Sequence, residues 1–128
     1  MFRILFLTAA IVTCSNALAA DDKTANPFSN YRANEKRERQ ENLFRCAAAY
    51  GIWMKIAEER NDADNAQRYN ARFEKLSKDA QNSFEAVGKG EDEADNHLQK
   101  HVDTLVKLAT SDGHVLPALK TFCDKELP

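Results

Sequence analysis

The 128-residue sequence predicts an all-α protein: a small antiparallel bundle of three long helices plus a short C-terminal helix, stapled by one disulfide. Three observations carry this expectation. Apolar residues recur at spacings of three and four along most of the chain. No stretch alternates with the period of two that a half-buried strand needs. Two cysteines, Cys46 and Cys123, remain once the N-terminal segment is set aside.

That segment, residues 1–19, reads as a cleavable signal peptide. Met1-Phe2-Arg3 supplies a positive charge, Ile4 to Val12 an apolar run, and Ala17-Leu18-Ala19 a small-x-small cleavage site. The run is short of the roughly 20 residues a membrane span requires, so the expected product is periplasmic or secreted. A competing reading takes Ile11-Val12-Thr13-Cys14 as a lipoprotein signal acylated at Cys14, although Thr13 stands where such signals favour a smaller residue. Residues 20–30 are small and polar around Pro27 and read as a flexible leader, ahead of a bundle domain over 31–128.

The first helix of that domain opens on the charged run Tyr31 to Asn42, in which Glu35 and Arg39, then Glu41 and Arg45, stand in the favourable order for i,i+4 pairs. It continues without a breaker into Leu43 to Ala57, apolar on nearly all sides, the mark of a helix buried between others. Arg45 and Lys55 interrupt that stretch, so no transmembrane segment is expected in the mature chain. Ala47, Ala48 and Gly51 would let neighbouring helices approach. Cys46, Tyr50 and Trp53 share one face, where the C-terminal segment carrying Cys123 is expected to dock.

Asn61-Asp62 reads as a stop followed by a new N-cap. Ala66, Tyr69, Phe73, Leu76, Ala80, Phe84 and Val87 then recur at spacings of 3, 4, 3, 4, 4 and 3, the cleanest amphipathic stripe in the chain, ending at Gly88-Lys89-Gly90. A third helix begins within Glu91 to Asp95, carries Ala94, Leu98, Val102, Leu105 and Ala109 inward, and stops near Ser111-Asp112-Gly113. Pro117 suits the first turn of a short fourth helix, with Leu119, Phe122 and Cys123 facing the core.

An even cysteine count in an exported chain reads as a disulfide, Cys46 to Cys123. Loss of Arg3 with the signal leaves 17 of the 18 basic residues against 20 acidic ones, a net charge of −3 with signs interspersed, which argues against nucleic acid as a partner.

The sharpest local pattern is Glu93, His97 and His101, at i, i+4 and i+8 along one helical face. Two imidazoles at i,i+4 can share an ion, and an exported protein meets zinc and copper without competing thiols. His114 lies in the turn beyond. The chain has no Gly-x-Ser-x-Gly elbow, no His-Glu-x-x-His, no phosphate-binding glycine loop and no Cys-x-x-Cys-His for covalent haem, so no catalytic residue is named and no enzyme is expected. The Leu-Thr-x-x-Gln motifs that mark one family of periplasmic helical metal-stress proteins do not occur.

By elimination the first functional expectation is a protein-binding or inhibitory module. Its candidate partner surfaces are the charged stretch Tyr31 to Gln40 and the acidic turn Glu91, Asp92, Glu93 and Asp95, the latter able to plug a basic cleft. In the layout of its Cys46-to-Cys123 staple the chain resembles some immunity proteins that neutralise cell-wall-degrading toxins. The second expectation is metal binding or sensing through the histidine face, with zinc or copper. The third is a structural envelope component. A homodimer through an apolar helix face is compatible with all three.

Overall fold

The computed structural model describes residues 27–128, which form four helices: α1 (Pro27–Glu59), α2 (Ala63–Glu85), α3 (Glu91–Ser111) and α4 (Val115–Glu126). The expected signal peptide, Cys14 and the leader as far as residue 26 lie outside the described residues. Pro27 to Asn30, expected as the end of the leader, are helical. Proline at the first helical position lacks only an N–H that would be unsatisfied there, and nothing between it and Tyr31 breaks the helix. By contacts the chain divides into units of 1–35 and 36–128, and the bundle is the second. Among the described residues no helix is long and apolar enough to cross a membrane.

α1 is the central helix because its middle is apolar all round. Phe44 and the run from Cys46 to Ala49 are buried to within 1% of complete, and they meet a different neighbour on each side. Phe44 packs against Ala80 and Phe84 of α2 and Ala94 of α3, while Cys46, Ala47 and Tyr50 pack against Leu76 and Cys123. Ala48 and Ala49 meet Leu105 and Leu116. The small side chains work as anticipated at Gly51, where an added Cβ would come within 3.2 Å of the Phe73 ring.

The helix ends follow from local chemistry. Asn61 has a positive φ of 56°, and the Asp62 and Asn61 amides donate to the carbonyls of Ala57 and Glu58, closing α1 with a Schellman motif. Asp62 then caps α2 by accepting from the Asn65 amide. The same motif recurs after α2, with Gly88 at φ 78° and the Lys89 and Gly88 amides on the carbonyls of Phe84 and Glu85. Because the chain leaves the helix there, Val87 is thrown outward and is 63% exposed rather than continuing the stripe.

α4 begins two residues before Pro117, and its inward line is Leu116, Leu119 and Cys123. Phe122, expected to face inward, is one helical step off that line and 37% exposed. Cys46 and Cys123 form the expected disulfide, with Cα atoms 5.7 Å apart. Polar contacts hold the same helix: the Tyr50 hydroxyl donates to Asp124, Lys120 Nζ lies 2.8 Å from the other oxygen of that carboxylate, and Arg72 donates to the Leu127 carbonyl.

Candidate metal centre

The cluster is built where the charged and apolar halves of α1 meet. Gln40 donates from its side chain to the Ser83 carbonyl at 3.1 Å, fixing α1 against the end of α2 one residue before Glu41. One turn further, Phe44 is buried and serves as the wall on which the histidines rest. The His97 ring stands edge-on to Phe44, with centroids 4.6 Å apart, and 5.1 Å from the Phe84 ring. His101 lies parallel to Phe44 at 6.4 Å. Aromatic packing of this kind narrows the rotamers open to both rings.

Held this way, His97 and His101 both aim Nε2 at the Glu41 carboxylate. His97 Nε2 is 2.9 and 3.0 Å from its two oxygens, and His101 Nε2 is 2.9 Å from Oε2. An ionised carboxylate only accepts, so each ring donates its Nε2–H. Partial burial works to raise the Glu41 pKa. Hydrogen bonds from His97 and then His101, together with the charges of the two rings, outweigh it and hold the carboxyl below the ordinary glutamate range.

The convergence differs from the sequence expectation in one member. His97 and His101 come together, but the carboxylate that joins them is Glu41, from a different helix, and not Glu93. Glu93 is exposed on the first turn of α3, where it borders a shallow recess that His97 also lines, together with Phe84, Lys89, Asn96 and Lys100, without meeting the imidazole nitrogens as Glu41 does. The reason is rotational: at 3.6 residues per turn, a line of i, i+4, i+8 drifts by about 80° around the helix, so Glu93 and His101 face different ways. The i,i+4 spacing pairs Glu41 with Arg45, but the Arg45 guanidinium donates instead to Asn42 Oδ1 at 3.0 Å. Nothing local in the sequence marks Glu41, because only the register of α1 against α3 brings it to the histidines. His114 stays apart, exposed just before α4. Glu91, Asp92, Glu93 and Asp95 are all exposed, and the first three occupy the first turn of α3, where negative charge complements the helix dipole.

No known protein family, curated protein or solved structure matches this chain. What the cluster can do therefore rests on its own chemistry.

One ligand atom from each of Glu41, His97 and His101 can be chosen so that all lie within 4.8 Å of one another. Zinc with bonds of about 2.0–2.1 Å in tetrahedral geometry places its ligand atoms roughly 3.3 Å apart. The observed 2.9–3.0 Å spacings to Glu41 lie within a few tenths of an ångström of that value, and an ion would replace the two Nε2–H protons of these hydrogen bonds, each ring keeping its remaining proton on Nδ1. Two imidazoles and one carboxylate complete three positions of a tetrahedron and leave the fourth free, the donor set of open zinc sites. All three side chains also line a cavity of about 530 Å³.

Proposed function

We propose that this is an exported metal-binding protein that takes up one divalent zinc ion per chain at Glu41, His97 and His101. The observation that supports this reading is the meeting of three ligand-type side chains from two helices at 2.9–3.0 Å, with an aromatic wall behind the histidines. Copper(II) competes for the same donors by the general affinity order of divalent ions. The absence of thiolate or thioether from the cluster disfavours copper(I). Export by the N-terminal signal would place the site where free zinc and copper are not buffered by cytosolic thiols. A protein-partner role through the acidic turn of α3 has exposure in its favour and no further geometric support.

The test is a zinc titration of metal-free protein against a chromophoric chelator. One equivalent should bind per chain. A His97→Ala/His101→Ala double variant and a Glu41→Ala variant should each lose about tenfold or more in affinity, while Glu93→Ala stays at the native value. Equal affinity in the native and double-histidine proteins would dispose of the proposal. A loss in Glu93→Ala but not in Glu41→Ala would show that the wrong carboxylate had been chosen.

A further inference from the structure

The cavity in front of the cluster has its own chemistry. Besides the cluster, its lining holds two exposed cations, Arg45 and Lys100, with Thr104 and the apolar side chains of Leu105, Leu108, Val115 and Leu119. Neither cation is neutralised: among the described residues no carboxylate forms an ion pair with Arg45 or Lys100, and the bond from Arg45 to Asn42 uses only one of its five N–H groups. A volume of about 530 Å³ lies within the roughly 300–1,000 Å³ range of small-molecule sites. With zinc bound, the ion and Glu41 together carry one positive charge, to which the two exposed cations add.

From this arrangement we infer that the metal centre is the head of a ligand site, which takes a small carboxylate with an apolar tail. The carboxylate occupies the free zinc position between Arg45 and Lys100, and the tail lies along Leu105, Leu108, Val115 and Leu119. Complementarity decides the class of occupant. A neutral apolar molecule leaves three positive charges unanswered, a small hydrophilic anion leaves the leucine side chains wet, and a cation is repelled. The inference rests on the zinc reading above, because the ion supplies the strongest of the three attractions.

Octanoate is the probe, with octanol as the tail without the charge and acetate as the charge without the tail. Zinc content of the full chain is measured first, and calorimetric titrations follow on loaded and metal-free protein. Octanoate should bind the loaded protein at least about tenfold more tightly than either control, and more tightly than it binds the metal-free protein. Arg45→Ala/Lys100→Ala, checked for zinc content, should lose most of that preference. Leu108→Glu, at an exposed position where folding is not at stake, should weaken octanoate by placing a negative charge at the mouth. Zinc uptake with octanoate no better than octanol or acetate overturns the ligand site and leaves the metal centre standing. Failure to take up zinc overturns the metal centre, and the carboxylate site with it.

Discussion

Glu41 illustrates how one side chain can carry both stability and chemistry. Its carboxyl titrates below the ordinary glutamate range because, against the opposing effect of partial burial, two imidazole donors favour the charged form. A group whose folded pKa is depressed contributes stability that is fully present above its unfolded pKa and is lost as pH falls through the folded value. Glu41→Gln should therefore be less stable than the native protein near neutrality, by no more than about 1 kcal/mol given the solvent exposure of the side chain. The difference should shrink as pH drops below the usual glutamate range. Urea midpoints of the two proteins from neutral to acid pH test this, and a constant gap would remove the carboxyl as its source. Residues such as Glu41 are invisible to local pattern reading. His97 and His101 stand out at i,i+4, whereas Glu41 resembles every other charge in its run until α1 is set against α3.

Among the helices, legibility follows how local the cause is. The stripe from Ala66 to Phe84, the Asp62 cap and the stop at Gly88 are each written within a few residues, and each is found where the pattern puts it. Val87 defeats the same reasoning because exposure at a helix end depends on where the chain turns away, and Phe122 because a short helix offers too few turns to fix which of two adjacent residues, Phe122 or Cys123, leads the inward line. The two Schellman motifs yield a direct prediction. Space around Gly88 is open, with nothing within 4 Å of an added Cβ, so Gly88→Ala meets no clash and costs only the left-handed backbone conformation. That cost is about 1–2 kcal/mol. Asn61→Gly, at the equivalent position after α1, should be tolerated without loss because glycine adopts that conformation freely. Chemical denaturation of both variants measures the contrast, and an unchanged Gly88→Ala would mean the turn does not hold that geometry in solution.

For the molecule as a whole, the disulfide is the largest single constraint. It joins residues 77 apart, and the chain-entropy account assigns a loop of that length about 4.5 kcal/mol at 25 °C. That is a large part of the roughly 5–15 kcal/mol typical of a domain. Reduction with excess thiol should accordingly lower the urea midpoint far more than any surface substitution, and a shift worth less than about 1 kcal/mol would show that packing around Tyr50 and Leu76 holds α4 unaided. The pairing was readable from the cysteine count and the expected compartment, while the cavity beside the histidines was not, because its cations and leucines come from helices whose register no local pattern reveals. The cross-link also partitions the chain in a particular way. A cut in the exposed turn between Gly88 and Lys89 would leave Glu41 on one piece and His97 and His101 on the other, yet Cys46 belongs to the first and Cys123 to the second. Nicked protein would remain one covalent molecule, with both halves of the Glu41, His97 and His101 cluster still tethered together.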